Sequence, residues 1–254
     1  MSSPIRTRGY RPALLTLAAL ALVACAPNTP VDEPVAEAQQ AALVDNALVD
    51  NALVDNALVD NALVDNALTD PNARELYKYI VSCALPADAH IDMTIEGVTY
   101  GFDGGLGLAP EWGEIDGSCD AECRSWVSGC VISRLDYLGQ PLQISVRGDN
   151  DGLHTTKQER KTFKHIETTY YGNIFTEPKD IFACLPPGKT AIPRVCGPSL
   201  ADCVVKVQGN CDDLCEDQED DGSYPECRKA PTPKKNGGLK KGKKHVGSVT
   251  VFLQ

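Results

Sequence analysis

The residues of this chain with the widest choice of chemistry are its eleven cysteines, since a thiol can serve as nucleophile, metal ligand, lipid attachment point or half of a disulfide. Cys25 stands apart near the start, and the other ten lie in residues 71–254. An even number of cysteines in an exported chain indicates disulfides, here up to five, with the pairing left open. The disulfide candidates are Cys83, Cys119, Cys123, Cys130, Cys184, Cys196, Cys203, Cys211, Cys215 and Cys227.

A catalytic role for one cysteine is the first alternative. Cys119 lies near the predicted start of a helix, where a thiolate is stabilised, and His154 or His165 can serve as its base. Papain-like cysteine hydrolases also carry a tryptophan near the nucleophile, but their motif is absent from the sequence, as are the GxSxG, P-loop and Rossmann motifs. The even cysteine count favours a disulfide, so no catalytic residue is predicted.

Zinc binding is the second alternative for the cysteines. Cys119 and Cys123 are four residues apart, as are Cys211 and Cys215, whereas zinc sites typically use the CxxC spacing. The chain has only four histidines and no HExxH sequence. Disulfides explain the same residues more simply, and zinc is therefore not predicted.

The acidic loop before Gly222 is the one candidate metal site. Asp217, Glu219 and Asp221 alternate along the chain as in the first half of an EF-hand loop, where such oxygens bind calcium. The twelfth position of that loop is Arg228, where an EF-hand has glutamate. A solvated acidic loop is therefore favoured, calcium is the only cofactor considered, and it stays an alternative.

The N-terminus carries the pattern of an exported lipoprotein. Three arginines precede an apolar run at residues 13–24, which is shorter than the roughly 20 residues of a membrane-spanning helix, so residues 1–24 are predicted to be a signal peptide. The run ends in Leu-Val-Ala-Cys, which resembles a bacterial lipobox, and Cys25 is therefore the predicted lipidation site. Inner-membrane lipoproteins often carry aspartate at the next position, so Ala26 favours the outer membrane.

Residues 25–70 are predicted to be a spacer between the anchor and a folded domain. The segment holds nine acids and no base, and charge repulsion extends such a chain. Six ALVD-type units repeat every five residues from Ala42, a period that forms no apolar stripe on a helix. The alternative is the four-sided β-helix of pentapeptide-repeat proteins, but six units would make only about one and a half turns, too few to bury a core.

Residues 71–254 are predicted to form a single disulfide-stapled α+β domain, long enough to bury a core. The signal holds three of the 24 bases and the spacer nine of the 35 acids, which leaves 21 bases against 26 acids and a net charge of −5. This balance gives no uniformly basic face, so no nucleic-acid partner is predicted.

Local patterns predict the elements of this domain. Pro71 begins a helix with Asp70 as its N-cap, and the alternation of residues 90–102 predicts a hairpin that turns at Glu96-Gly97. Ser118 is the predicted cap of a helix that ends at Leu138 before Gly139. Short strands are predicted at 143–147, 204–207 and 246–253, and the aromatic segment 169–175 is predicted to be core. Helices and strands mix without βαβ alternation, which favours α+β.

Charge is unevenly distributed near the C-terminus. Residues 212–226 hold eight acids, and residues 228–244 hold eight bases with prolines and a Gly-Gly pair that indicate a loop. The basic stretch can contact anionic lipid, polysaccharide or the acidic spacer. A solvated loop between two strands is the favoured interpretation, and the partner is left as an unknown protein or polysaccharide.

The combination of lipobox, pentapeptides and cysteine-rich domain resembles a group of lipoproteins from soil bacteria that carry an N-terminal NAL-type repeat. The matching stretches are residues 46–70 and the segments ARELYKYIVSCALP, GLAPEW, WVSGC, YYGNIF and PRVCGPSLADC. The resemblance implies no particular activity. We predict an envelope protein held at the membrane by its lipid, which presents a disulfide-stabilised domain for structural or interaction roles. The alternatives are an envelope hydrolase with an unrecognised site and a calcium-stabilised adhesion module.

Overall fold

The computed structural model describes residues 68–137, 142–201 and 203–254. The predicted signal peptide, Cys25 and the predicted spacer as far as residue 67 lie outside the described residues. Within them the chain forms five α-helices and nine strands, and five pairs of cysteines stand at disulfide distance. The prediction of an α+β domain rich in disulfides is confirmed.

The first helix, α1 (Pro71–Ala84), begins where the sequence predicted. The side chain of Asp70 accepts a hydrogen bond from the backbone N–H of Asn72 at 2.9 Å. Pro71 occupies the first turn, where its missing N–H removes no helical hydrogen bond. The helix buries its apolar face in the main core, and this packing, more than local propensity, holds a helix of 14 residues in place.

The predicted hairpin is also present, formed by β1 (His90–Ile95) and β2 (Val98–Asp103). Glu96 and Gly97 make its two-residue turn with φ angles of 51° and 84°. A positive φ at both positions matches the twist of the paired strands, and glycine adopts it without steric cost. Alternate residues of β1 point into the core, as the sequence pattern required.

The second helix, α2 (Ala121–Ser133), begins later than predicted. Its N-cap is Asp120, whose Oδ1 accepts hydrogen bonds from the backbone N–H groups of Glu122 and Cys123 at 3.0 and 2.9 Å. Ser118, the predicted cap, lies two residues earlier. Serine and aspartate are both favourable N-cap residues, so local preference does not decide between Ser118 and Asp120. Tertiary structure determines which of them caps the helix.

Cys119 supplies the reason for that shift, because it is bonded to Cys123. Residues four apart within a helix hold their Cβ atoms about 5–6 Å apart, which exceeds the roughly 3.8 Å of a disulfide. Cys119 must therefore lie before the helix. At the other end α2 stops at Ser133 with Arg134 as C-cap, whereas Leu138 was predicted; residues 138 and 139 lie outside the described part of the chain.

Five strands form the central sheet in the order β3-β9-β4-β5-β6, and all its pairs are antiparallel except β5 with β6. These strands are β3 (Ser145–Arg147), β4 (His165–Asn173), β5 (Asp180–Leu185), β6 (Lys206–Asn210) and β9 (Val249–Leu253). A separate short pair is made by β7 (Thr232–Pro233) and β8 (Leu239–Lys240). The remaining helices are α3 (Lys157–Thr162), α4 (Pro193–Cys196) and α5 (Cys211–Leu214).

The sheet overlaps the predicted strands but not at the predicted bounds. The strands expected at 143–147, 204–207 and 246–253 correspond to β3, β6 and β9. The aromatic segment 169–175 is buried in β4 and the turn after it, which confirms its assignment to the core. No strand was predicted at the position of β5.

Two glycines allow α2 to touch the segment that leads into β9. A Cβ on Gly129 would lie 2.5 Å from the carbonyl oxygen of Gly247, and a Cβ on Gly247 would lie 2.2 Å from the backbone of Ser125. The backbone N–H of Gly247 donates to the hydroxyl of Ser125 at 2.9 Å. Side chains larger than hydrogen would therefore push the helix off the sheet.

An ion pair between Arg194 and Glu167 lies in the protein interior, with each side chain only 6% exposed. The guanidinium donates to both carboxylate oxygens at 2.6–3.0 Å. It also donates to the backbone carbonyls of Ser133 and Leu135 at 3.0 and 2.5 Å. Carbonyls at a helix end lack helical partners, so Arg194 links the end of α2 to β4 and α4.

We expect Glu167→Gln to lower the free energy of unfolding by about 3–5 kcal/mol, because it leaves the Arg194 charge buried without a counter-charge. Urea unfolding of the oxidised protein measures this loss. The matched control is Glu216→Gln, since Glu216 pairs with Arg228 at 3.3 Å on the surface and such pairs contribute no more than about 1 kcal/mol. Equal, small losses in the two variants would contradict the prediction.

Candidate functional site

All ten cysteines of the described residues are paired, which confirms the prediction of disulfide bonds. The pairs are Cys83–Cys130, Cys119–Cys123, Cys184–Cys211, Cys196–Cys203 and Cys215–Cys227. The first of these joins α1 to α2 across 47 residues, and closing a loop of that length restricts the unfolded chain most. Cys25, the predicted lipidation site, lies outside the described residues.

The geometry around Cys119 does not assemble a cysteine hydrolase. Its sulfur is bonded to Cys123, so it offers no thiolate in this form. His154 is exposed and its Nδ1 lies 2.8 Å from the carbonyl oxygen of Asp151. His165 is exposed at the start of β4. Within the described residues neither histidine is hydrogen-bonded to Cys119.

Two of the disulfides lie in contact, and their sulfurs form what we call the four-sulfur cluster (Cys184, Cys211, Cys215 and Cys227). The Sγ of Cys184 lies 3.4 Å from the Sγ of Cys215, which belongs to the other disulfide. The Sγ atoms of Cys184, Cys215 and Cys227 all lie within 4.8 Å of one another. In the described part of the chain this is the only group of three or more metal-ligating side chains at such spacing.

Three separate pieces of chain build this cluster. Cys184 projects from β5, Cys211 begins α5, and Cys215 follows α5 directly. The four-residue spacing of Cys211 and Cys215 spans one helical turn, which brings both toward the same strand. Cys227 arrives after the acidic loop. The sequence spacing indicates only that Cys211 and Cys215 lie close to each other. The other two cysteines are brought to them by long-range folding, which the spacing does not reveal.

Access to the cluster is one-sided. Cys184, Cys211 and Cys227 have no exposed surface, whereas Cys215 is half-buried. Tyr171, Phe182, Leu214 and Tyr224 complete a second core around the sulfurs. A sulfur bonded to another sulfur is not a thiolate, so the oxidised cluster does not present the ligands that zinc requires. An external thiol would reach it at Cys215.

His245 belongs to the same region and is buried. Its ring lies 5.8 Å from that of Tyr171 and 5.9 Å from that of Phe182, measured between centroids. Its Nδ1 lies 3.1 Å from the carbonyl oxygen of Gly172, and a carbonyl only accepts, so Nδ1 carries the hydrogen. Among the described residues its Nε2 has no hydrogen-bond partner. Burial, followed by the charge of Lys243, lowers the pKa of His245.

The acidic loop uses one of its candidate ligands internally. The Asp221 carboxylate accepts hydrogen bonds from the N–H and hydroxyl of Ser223 at 2.8 and 2.6 Å, and its backbone carbonyl accepts one from Arg147 at 2.6 Å. In the described residues, the oxygens of Asp217, Glu219 and Asp221 do not form a group of ligand atoms within 4.8 Å. Calcium binding by this loop stays the alternative to the solvated acidic loop that the sequence favours.

The basic stretch at residues 228–244, here called the basic hairpin, was predicted as a loop and instead pairs β7 with β8. Every residue from 231 to 241 is exposed. Arg228 pairs with Glu216 and Lys244 with Glu226 at its base. Among the described residues no carboxylate forms an ion pair with the other lysines of its arms and turn, Lys234, Lys235, Lys240, Lys241 and Lys243.

Comparison with protein-family models, curated proteins and solved structures found no match to this chain. Within the described residues, none of the helices combines the length and the apolar character needed to cross a bilayer. The candidate sites therefore rest on the geometry alone: the four-sulfur cluster, the buried His245 beside it and the exposed lysines of the basic hairpin.

We expect His245 to make the protein less stable as the pH falls from about 6.5, because the folded state holds this residue neutral while the unfolded chain binds the proton with an ordinary pKa near 6.5. Stability from this residue is thus present above that pH and is lost toward the lower pKa of the folded state. His90 acts in the opposite direction, since hydrogen bonds to Asp103 and Asp92 raise its pKa in the folded state. The contribution of His245 is therefore read from the difference between the wild type and a His245 variant. Urea unfolding at a series of pH values between about 7 and 5 measures the slope.

His245→Phe keeps an aromatic ring between Tyr171 and Phe182 but cannot be protonated, so we expect a flatter slope in this variant. His154→Phe makes the same substitution at an exposed histidine and is the control with which the slope of His245→Phe is compared. A His245→Phe variant that kept the full pH dependence would show that other groups cause it.

Proposed function

We propose that the chain is a lipid-anchored envelope protein whose disulfide-stapled domain is a non-enzymatic interaction module. The observation that supports this most directly is the pairing of all ten cysteines of the domain. Disulfides form and persist in exported proteins and are rare in reducing compartments. A domain stapled in this way is built to persist outside the cytoplasm.

The same pairing supports the assignment of Cys25 to lipidation. In the described residues all ten cysteines pair with one another, and Cys25 stands outside this set in the sequence. A cysteine at the end of an apolar run, in a Leu-Val-Ala-Cys sequence, fits acylation. One acyl chain holds a protein at a membrane only marginally, so stable anchoring at Cys25 would need more than one chain.

The intact mass of the mature, non-reduced protein tests the anchor. We expect a chain that begins at Cys25, carries acyl groups and takes up no alkylating reagent. Cys25→Ser should move the protein from the membrane fraction to the soluble fraction, whereas Ala26→Ser, which keeps the cysteine and a small neighbour, should leave it in the membrane. A mature form without acyl groups, or with alkylated thiols, would refute the proposal.

The basic hairpin is the surface that we assign to the partner, and we propose an anionic polysaccharide. The hairpin presents lysines on exposed strands and at its turn, and ammonium groups on flexible stems suit repeated carboxylate or phosphate charges. Residues 228–244 contain no Phe, Tyr or Trp, the side chains on which single-stranded nucleic acids stack. This composition favours a polysaccharide over a nucleic acid.

We expect Lys240→Gln with Lys241→Gln to weaken binding to polygalacturonate about five- to thirtyfold, since each exposed charge contact contributes roughly 0.5–1 kcal/mol and 1.4 kcal/mol is tenfold. Isothermal titration calorimetry at low and moderate salt measures the dissociation constants. Salt should weaken polygalacturonate binding by the wild type more than binding by the variant. Lys157→Gln with Lys161→Gln removes the same charge from exposed positions on α3 and should leave binding unchanged. Equal losses in both variants, or binding to anionic vesicles alone, would overturn the assignment.

A further inference from the structure

We propose that the four-sulfur cluster is a thiol–disulfide exchange centre, which takes electrons from an external dithiol at Cys215 and holds them as thiols on Cys211 and Cys227. The proposal is independent of the lipid anchor and of the basic hairpin. It rests on two observations: the contact between the two disulfides and the one-sided access to their sulfurs.

The contact provides the route between the disulfides. Exchange requires a thiolate to attack one sulfur of a disulfide, and the Cys215 Sγ already lies 3.4 Å from the Cys184 Sγ. The two sulfurs are already in van der Waals contact, so bond formation needs only a short approach, to the roughly 2 Å of an S–S bond. The other three disulfides lack this arrangement, because in the described residues no third cysteine sulfur lies within 4.8 Å of both sulfurs of any of them.

Accessibility sets the direction of the reaction. An external thiolate can approach the half-buried Cys215, whereas Cys184, Cys211 and Cys227 have no exposed surface. Attack at the Cys215 Sγ breaks the Cys215–Cys227 bond and forms a mixed disulfide, and Cys227 leaves as a thiolate that takes up a proton. The second thiol of the dithiol then displaces Cys215, which leaves the reagent as a cyclic disulfide and Cys215 as a thiolate.

The last step is internal. The Cys215 thiolate attacks the Cys184 Sγ, a bond forms between them, the Cys184–Cys211 bond breaks, and Cys211 leaves as a thiolate that is protonated. The balance is one dithiol oxidised, one protein disulfide reduced, and two electrons and two protons transferred. The product holds a Cys184–Cys215 disulfide and thiols at Cys211 and Cys227.

The structural consequence falls at the base of the basic hairpin. Cys227 immediately precedes the hairpin, and its disulfide to Cys215 ties this point of the chain to the end of α5. After exchange β5 stays linked to that end of α5 through Cys215, but the link to Cys227 is gone. The reaction therefore removes the covalent link at the hairpin base, where the hydrogen bond from the N–H of Arg228 to the carbonyl of Leu214 at 2.8 Å remains, and it keeps α5 fixed to the sheet.

A variant that contains a permanent free thiol at the cluster tests the internal step. In Cys227→Ser, Cys215 lacks its partner and we expect it to attack Cys184. Acid quenching, alkylation at low pH and mass spectrometry of the non-reduced peptides should find a Cys184–Cys215 link and an alkylated Cys211. The full-length chain is used throughout.

Cys196→Ser is the matched control, because it leaves the half-buried Cys203 without a partner at a disulfide that, in the described part of the chain, has no third cysteine sulfur within 4.8 Å of both its sulfurs. Its alkylated residue should be Cys203 alone. If Cys227→Ser carries its label on Cys215 alone and keeps the Cys184–Cys211 link, the exchange centre is refuted.

Wild-type protein provides a measurement that does not depend on how the variants fold. Dithiothreitol is added stepwise to the folded protein until two thiols per chain appear, and the thiols are trapped in acid. Label on Cys211 and Cys227 supports the proposal. Label on Cys215 and Cys227 would mean local reduction without exchange, and label spread over the other three disulfides would mean that the cluster is not special; both outcomes overturn it.

Discussion

The arrangement of the main core depends on one buried guanidinium. Arg194 and Glu167 must both give up water, which costs several kcal/mol for each ion, and only a full set of hydrogen bonds offsets such a loss. The set is completed by the carbonyls of Ser133 and Leu135, which lie about 60 residues away along the chain. The backbone of Arg194 adds a further link, since its carbonyl accepts from the N–H of Tyr137 at 2.6 Å.

This geometry explains why the end of α2 is where it is. A helix that continued past Ser133 would bond those carbonyls internally and leave the guanidinium with the carboxylate of Glu167 but without these two backbone acceptors. Tyr170 closes the network, and burial, followed by the charge of Glu167, raises the pKa of its hydroxyl well above the ordinary value. The hydroxyl therefore keeps its proton and donates to Glu167. The positions of the end of α2, of β4 and of the short helix α4 therefore depend on the same buried ion pair.

The two faces of the sheet are stabilised in different ways. Along β4 Tyr170 belongs to the main core and Tyr171 to the second core, and along β5 Ala183 and Cys184 divide in the same way, as alternating strand residues must. The main core also contains disulfides, such as Cys83–Cys130, but many buried apolar side chains pack around them. The second core has seven buried side chains, three of them cysteines. Because its buried apolar area is small, its two disulfides add stability that apolar packing alone does not provide.

Local sequence patterns predicted much of this fold, whereas contacts between residues far apart in the sequence could not be predicted. Asp70 with Pro71 and Glu96 with Gly97 specify their structures within a few residues, so α1 and the first hairpin were predicted correctly. The cap of α2 was not, because a disulfide decided between two good caps. β5 pairs in parallel with β6 across a long connection, for which no short motif exists.

For the candidate sites too, the sequence predicted local features but not the contacts between distant residues. The even number of cysteines predicted disulfides but not which cysteines pair. No local sequence pattern indicated that Cys184 lies against Cys215. The charge run predicted an exposed basic segment but not that β7 and β8 would pair within it. The alternating acids suggested calcium, yet the contacts of Asp221 with Ser223 and Arg147 depend on neighbours that the loop sequence does not reveal.

The features that can respond to their surroundings share the face of the sheet that carries the four-sulfur cluster. Cys227 and His245 flank the basic hairpin, and the N–H of His245 donates to the carbonyl of Cys227 at 2.9 Å. The ring of His245 packs on Tyr171 and Phe182, which also cover the four-sulfur cluster. Protonation of His245 and exchange at the cluster would therefore both act on the hairpin base. The Arg194 network packs with Tyr170 in the main core, so the frame of the domain is separated from such changes by the sheet itself.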